Sequence, residues 1–362
     1  MRAVVLVGGA GTRLRPLTLT VPKQVLPIVG VPMIERVLAY LEPHGVDQVV
    51  LSLGYLHEAF TDLFPEGRAG NVRLTYAVEP EPLDTAGAVR FAARAAGIDE
   101  RFLVVNGDIL TDLDVSAMVD FHVQRGAEGT ISLAKVSDPS AFGLVPIDRE
   151  GKVVAFVEKP APGAVGPSLV NAGTYVLEPA VLDHIPEGRR VSIEREVFPA
   201  LAAAGSLYGF DSPDYWTDTG KPFEYLEANL DLVYGRRVGP PAPGARAGHH
   251  GVWTVGEADV GDGVQGPAVV GAGASVAAGA VVAGSVVGAR SRIASGARVV
   301  ESVLLPEVVV GDRAVVDRSI LGPGVRVGEG AEVSGLSVLG ADYQVEPGAR
   351  LHGARLPDPA TP

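Results

Sequence analysis

Cysteine is absent from the 362 residues. No disulfide frame can staple the chain, and no thiolate can act as nucleophile or metal ligand; a reducing cytoplasm is the expected setting. Basic residues are the minority, 30 Lys and Arg against 43 Asp and Glu, for a formal net charge of -13. No local basic block offsets that balance, so neither nucleic acid nor an anionic membrane is an expected partner. No apolar stretch approaches the ~20 residues of a membrane-spanning helix. The apolar run from Val4 to Val7 breaks at Gly8-Gly9 and is too short for a signal peptide. The seven histidines show no metal-binding spacing, and His249-His250 read as solvated. No Ser/His/Asp triad can be assembled.

What is present is a chain 47% hydrophobic and 20% charged, enough for a packed core and long enough for two or three domains. Its halves follow different rules. Up to about residue 234, short apolar runs alternate with helical patterns. Val4 to Val7 reads as a buried strand ending in glycines, and Met33, Ile34, Val37, Leu38 and Leu41 recur at helical spacing. Val49 to Leu53 is a second strand. Val72, Leu74, Tyr76 and Val78 alternate as a strand with one polar face, and Ala86 to Ala96 is helical. Phe102 to Val105 runs into Asn106-Gly107-Asp108, and Val153 to Val157 reads as a further strand. This order predicts an α/β fold with a doubly wound, mainly parallel sheet. Residues 235–251 contain Gly239-Pro240-Pro241-Ala242-Pro243-Gly244 and read as a linker.

Beyond the linker the chain repeats. Val270, Val276 and Val282 are six apart, and a shift of 17 carries Val270 to Val287, Leu304, Leu321 and Val338. Ser285, Ser302 and Ser319 lie in phase. An apolar residue at every sixth position is the hexapeptide signature of a parallel β-helix. It is expected over residues 252–352, with 353–362 as a flexible tail.

Few segments could carry chemistry. Gly8-Gly9-Ala10-Gly11-Thr12-Arg13 follows a strand, where glycines let backbone N–H groups cradle phosphate oxygens. The alternative is a plain strand-to-helix turn. The segment matches neither the P-loop nor the dinucleotide fingerprint. Arg13 offers a planar fork and Lys23 a point charge in a segment stiffened by Pro22 and Pro27; two solvated cations are the alternative. Asp108 should sit at the carboxyl edge of the sheet, where open α/β folds bind ligands, unless it merely caps a helix. Asp218, in Trp216-Thr217-Asp218-Thr219-Gly220, is its candidate partner, since magnesium needs only one or two carboxylates beside substrate phosphates. Glu158-Lys159 follows a strand and is otherwise an exposed pair. Trp216 reads as a packing residue.

Together GGAGTRLRPLT, PKQVLPI, EPEPLDTAGA, NGD, FVEKP, NAGTYVLEP, SIEREVFP and WTDTG resemble, in order, the sugar-1-phosphate nucleotidyltransferase family, and within it the GDP-mannose pyrophosphorylases. The resemblance covers residues 1–234, and a hexapeptide tail also recurs in that family. It implies a Rossmann-like catalytic domain followed by a left-handed β-helix. It implies that Leu6, Gly8, Gly9, Gly11, Thr12, Pro82, Asp84 and Gly107 line the nucleotide, with Arg13 on its outer phosphates and Lys23 on the reacting one. Asp108 and Asp218 would bind Mg²⁺. Lys159 would hold the sugar phosphate, and Gly143, Glu158 and Asn171 would face the sugar. Many relatives carry glycine where this chain has Asp84.

The implied reaction joins a nucleoside monophosphate to a sugar-1-phosphate and releases pyrophosphate. Glu79 stands where relatives contact the base. A carboxylate only accepts hydrogen bonds, and guanine offers two adjacent donors, so GTP is the expected nucleotide, the alternatives being that Glu79 is a surface charge or that Glu81 is the reader; mannose-1-phosphate as the sugar is what the resemblance implies. Rivals are a glucose-1-phosphate uridylyl- or thymidylyltransferase, a non-catalytic sugar-nucleotide-binding subunit, and a bifunctional enzyme with an acyl-transferring β-helix. A homo-oligomer assembled through the β-helix is expected.

Overall fold

The computed structural model describes all residues except 55, 159–167, 238 and 359–362. Lys159 and the last four residues of the expected tail therefore lie outside the described residues. By compactness the chain forms two units, Met1–Gly9 with Ile34–Thr217, and Ala10–Met33 with Asp218–Pro362.

The first unit is built on a 10-stranded sheet. Four parallel strands form its centre, in the spatial order Val72–Val78, Gln48–Leu53, Arg2–Leu6, Phe102–Asn106. In chain order these are third, second, first and fourth. The chain thus winds one way from its first strand and then returns to the other side. Val4, Val5, Val104 and Leu51 are buried, as central parallel strands require. An antiparallel flank extends this centre. Ser168–Leu177 pairs with Phe102–Asn106 and with Gly129–Val136, and Gly143–Leu144 and Val157–Glu158 lie beyond it. The helices Met33–Leu41 and Asp84–Ala95 form where their apolar spacing predicts. Two local expectations fail. Val78 lies on the face of Val72 and Leu74 in an unbroken register, but burial along that face fades at Tyr76 and Val78 is exposed, while Ala77 on the opposite face is buried. The run from Val153 to Val157 is not a continuous strand. Val153 makes an isolated bridge to Ile147, and pairing resumes only at Val157–Glu158; Val154 is 61% exposed, so no sheet covers it.

The second unit is a parallel β-helix with the helix Pro222–Val233 and the segment Ala10–Met33 packed with it. Its rungs form three ladders of eight, six and five strands. Val270, Val276, Val282, Val287, Ile293 and Val299 are buried, one inward aliphatic per short strand. Val270 pairs with Val287, then Leu304 with Leu321. The final step differs from the 17-residue expectation. Leu321 pairs with Leu339, and Val338 pairs with Ile320. The extra residue sits in the corner at Gly335-Leu336, both at positive φ, where the coil before turns on Arg318 alone. The in-phase serines have a structural cause. Ser285 Oγ accepts the Ser302 amide (3.0 Å), and Ser302 Oγ accepts the Ser319 amide (3.1 Å). Each buried hydroxyl satisfies a corner N–H that has no ladder partner.

The ladder also runs beyond its expected ends. Ala245–Ala247, inside the expected linker, pairs antiparallel with Val252–Val255. Arg355–Leu356, in the expected tail, pairs with Val338–Leu339. Helix Pro222–Val233 docks through Arg318, which bonds Glu301 (2.8 Å) and Glu227 (3.2 Å).

Candidate active site

In the first unit the expected nucleotide residues gather at the carboxyl ends of the parallel strands. Gly8 follows the first strand and Gly107-Asp108 the fourth, so both lie where the winding direction reverses. Open α/β sheets bind ligands at such a switch point. The two strand ends touch. Leu6 stands opposite Asn106, and the Gly107 amide donates to the Leu6 carbonyl (2.9 Å). A Cβ on Gly107 would fall 2.7 Å from Val7 Cγ1 and 3.0 Å from the Leu6 carbonyl oxygen. Only glycine permits this approach. A Cβ on Gly8 would lie 3.4 Å from Glu79 Oε1, so Glu79 borders the glycine loop; Gly9 has open space around it.

Glu79 is held firmly. Ser52 Oγ donates to its Oε1 (3.1 Å), the Leu83 amide to its Oε2 (3.0 Å), and its own amide bonds the Leu53 carbonyl (2.9 Å). Pro82 is exposed within the loop that this clamp closes. Asp84 then opens the helix at φ 61. Glycine takes that left-handed conformation freely, whereas an aspartate there carries backbone strain. Asp84 is retained through its side chain: Oδ1 accepts the Thr85 amide (3.0 Å), and Oδ2 pairs with Arg195 (3.0 Å).

Sequence reasoning assigned no role to the residues that brace this loop. Thr85 Oγ1 donates to Glu194 Oε2 (2.7 Å) and accepts the Ile193 amide (2.9 Å), and Ser192 Oγ donates to the same Glu194 oxygen (2.8 Å). The SIEREVFP segment signals this brace, but nothing in its spacing says that it meets residue 85.

The expected sugar residues share the antiparallel flank. Gly143 pairs with Glu158, and Leu144 with Val170, the neighbour of Asn171. Asn171 is committed to its own strand. Its Nδ2 donates to Tyr175 Oη and its Oδ1 accepts the Gly173 amide, both at 3.0 Å, across the irregularity between Asn171 and Tyr175. Trp216 Nε1 donates to the Ala172 carbonyl (2.8 Å), and its ring packs edge-on against Phe142, so it is a packing residue.

The second unit carries the remaining candidates. Gly11 is left-handed at φ 57, and a Cβ there would meet Thr18 Cγ2 at 3.0 Å and Lys23 Cβ at 3.2 Å. Thr18 Oγ1 donates to the Gly11 carbonyl (2.7 Å). Thr12–Leu14 and Lys23–Val25 are single 3₁₀ turns, the latter entered from an extended Pro22. Arg13 and Asp218 converge on one glycine. A Cβ on Gly220 would fall 2.9 Å from Arg13 Nη2 and 2.8 Å from Asp218 Oδ1, which also accepts the Gly220 amide (2.7 Å). Among the described residues no three His, Cys, Asp or Glu side chains cluster as a metal cage. Aspartates with hard oxygen donors fit a magnesium ion that brings substrate phosphate oxygens as further ligands.

Comparison with known proteins follows the same lines. Residues 2–234 match the family model described as Nucleotidyl transferase, and residues 264–358 match that of the GMPPB C-terminal domain. The chain is 43% identical over 253 residues to a mannose-1-phosphate guanylyltransferase of Mycobacterium tuberculosis, covering 69% of this chain and 68% of that protein. It is 40% identical over 230 residues to a mannose-1-phosphate guanyltransferase of Hypocrea jecorina, covering 62% of each. Among solved structures, HddC from Yersinia pseudotuberculosis is similar at 31% identity and TM-score 0.56, covering 63% of this chain and 97% of that one. HddC has also been solved with GMP-PN. A putative glucose-1-phosphate thymidylyltransferase from Bacillus anthracis, 24% identical with TM-score 0.58, shares the fold. With a model match across most of its length and a parallel-centred sheet whose glycine loop opens at the switch point, the chain belongs to the nucleotidyl transferase family.

Proposed function

We propose that this chain transfers GMP from GTP to mannose-1-phosphate, forming GDP-mannose and releasing pyrophosphate. The observation that carries the reading is the 43% identity to the M. tuberculosis mannose-1-phosphate guanylyltransferase. The clamped Glu79 beside Gly8 supports guanine as the base. Ser52 and the Leu83 amide take one bond on each carboxylate oxygen, and each oxygen keeps a second lone pair for guanine N1–H and the N2 amino group.

The chemistry asks little of protein acids and bases. The nucleophile is a sugar phosphate oxygen already ionised near neutral pH, with a second phosphate pKa of about 6. It forms a bond to the α-phosphorus of GTP as the bond to the pyrophosphate oxygen breaks, and the electron pair leaves with pyrophosphate. No general base is required, consistent with the lack of a catalytic histidine. Charge neutralisation and in-line alignment remain. We assign Arg13 to the outer phosphates, Lys23 to the reacting one, and Lys159 to the sugar phosphate. Glycines 8, 9 and 11 with Thr12 would cradle the triphosphate, and Gly143, Glu158 and Asn171 would border the sugar. Asp108 and Asp218 would hold Mg²⁺, which when bound neutralises phosphate charge.

The test is pyrophosphate release across GTP, UTP, dTTP and ATP against mannose- and glucose-1-phosphate. GTP with mannose-1-phosphate should be turned over fastest. Equal or faster turnover of UTP or dTTP with glucose-1-phosphate rejects the assignment. Cytoplasmic location and a homo-oligomer formed through the β-helix belong to the same proposal. No helix among the described residues is long and apolar enough to cross a membrane.

A further inference from the structure

We propose that the last coil of the β-helix is a strut for the loop that carries Arg13, with Arg355 and Gly340 as its positioning residues. The inference rests on the reading of Arg13 as a ligand of the nucleotide phosphates. The loop and the coil belong to the same compact unit. Arg355 Nη1 donates to the Arg13 carbonyl (3.4 Å). Three residues on, Pro16 sits against Gly340. A Cβ on Gly340 would lie 3.1 Å from Pro16 Cβ and 3.1 Å from Pro357 Cδ. Gly340 is itself tied to the final rung, its amide donating to the Leu356 carbonyl (2.7 Å). Two successive rungs thus meet the loop, the final one through a guanidinium at Arg13 and the one before it through a glycine at Pro16.

The loop is pinned at its base, where Thr18 Oγ1 donates to the Gly11 carbonyl (2.7 Å) and Leu14, Leu17 and Thr18 are buried, but Thr12 and Arg13 at its tip are exposed. Between Gly11 and Leu19 the backbone makes single-turn bonds, Leu14 to Gly11, Arg15 to Thr12 and Leu19 to Pro16. Isolated turns of this kind do not hold a conformation unaided. Arg13 is exposed, so its side chain is not fixed by burial. A phosphate ligand displaced by about 1 Å loses on the order of a hundredfold in rate. The strut adds a restraint at Arg13 and Pro16 from residues more than three hundred positions away in the chain. The hexapeptide domain then serves the reaction directly, in addition to any role in assembly.

The experiment compares full-length wild type with Arg355→Ala, Arg355→Lys and Gly340→Val. Amide hydrogen exchange over residues 11–19, the kinetics of pyrophosphate release and thermal unfolding are measured on each. Arg355→Ala should keep the unfolding temperature within about 2 °C, because the lost bond is solvent-exposed. It should raise exchange across 11–19 and lower kcat/KM for GTP about tenfold, with KM for the sugar phosphate unchanged. Arg355→Lys, whose ammonium still donates to a carbonyl, should recover most of both losses. Gly340→Val should move exchange and kinetics in the same direction and further. Wild-type exchange and GTP kinetics in Arg355→Ala overturn the strut. If wild type turns over no substrate pair, the functional reading has failed, and the exchange comparison alone still decides whether the coil restrains the loop.

Discussion

Ser52 lies on the strand Gln48–Leu53 and Glu79 directly follows its parallel neighbour Val72–Val78, and the Ser52 hydroxyl donates to Glu79 Oε1 at 3.1 Å beside the α-carbon of Gly8. With the Leu83 amide on the other oxygen, this fixes the carboxylate at the mouth of the glycine loop. Glu79 therefore has two tasks, shaping the loop and reading the base. Glu79→Gln separates them by nucleotide. An amide nitrogen in place of one oxygen leaves a guanine donor unmatched, a loss of about 1–3 kcal/mol, or roughly ten- to a hundredfold in preference for GTP over UTP. Competition kinetics measure that ratio. A mutant slowed equally with every nucleotide, its GTP preference intact, assigns Glu79 to the loop alone.

Gly220 tests the second unit without removing a charge. In Gly220→Ala the new methyl would stand 2.9 Å from Arg13 Nη2 and 2.8 Å from Asp218 Oδ1, so both groups must move. Turnover should fall at least tenfold at unchanged circular dichroism, by the displacement argument for well-placed groups. Asp218→Asn and Asp108→Asn should remove most turnover, since a neutral amide is a poor magnesium ligand beside anionic phosphates. Wild-type rates in these variants at saturating magnesium would exclude the assigned roles.

Asp84 stores a small backbone strain at φ 61 that its bonds to Thr85 and Arg195 offset. Asp84→Gly relieves the strain and loses the bonds, so its unfolding temperature should stay within about 3 °C of wild type. Asp84→Ala keeps the strain and loses the bonds, and should lie about 1 kcal/mol below the glycine variant. If alanine is as stable as glycine, the left-handed geometry does not limit this position.

His122 is fully buried, with Nδ1 on Thr130 Oγ1 (2.8 Å) and Nε2 on Glu178 (3.2 Å). Burial pushes its pKa below the ordinary value of 6.5, aided by the Arg101 charge and opposed by its bond to Glu178 and that carboxylate's charge. The folded state then binds fewer protons than the unfolded one. Stability is present above pH ~6.5, where both states are neutral, and falls as acid protonates the unfolded histidine. Unfolding temperatures from pH 7.5 to 5.5 should decline, with a shallower slope in His122→Gln. Parallel slopes would remove His122 from the pH response.

The β-helix was the most legible part of the chain, because one inward aliphatic per six residues is a local rule that packing then obeys. Its register was legible until the corner at Gly335-Leu336, where one added residue shifts Val338 from Leu321 to Ile320. A repeat count cannot see that shift, because Val338 and Leu339 are both apolar. The parallel strands were legible as continuous apolar runs. Val153 to Val157 looked the same and was not a strand, since apolarity alone does not say which neighbour covers a segment. Asp84 stood out only against the glycine of many relatives, and its left-handed φ was visible only in the structure.

By itself the sequence determined the types of its parts: an α/β half, a hexapeptide half, and the glycines, cations and carboxylates suited to phosphate chemistry. Those follow from local periodicity, from residue charge, and from the conformational freedom of glycine. Only the tertiary structure decided which parts lean on which. It put Thr85 on Glu194, Gly220 between Arg13 and Asp218, and Gly340 under Pro16. It also put the Arg13 loop in one compact unit with a β-helix that begins beyond an apparent linker. Thr85 with Glu194, Arg13 with Gly220 and Pro16 with Gly340 are contacts between positions more than 100 residues apart. Their pairing is set by strand order and by shape at a few ångströms, which no spacing along the chain encodes.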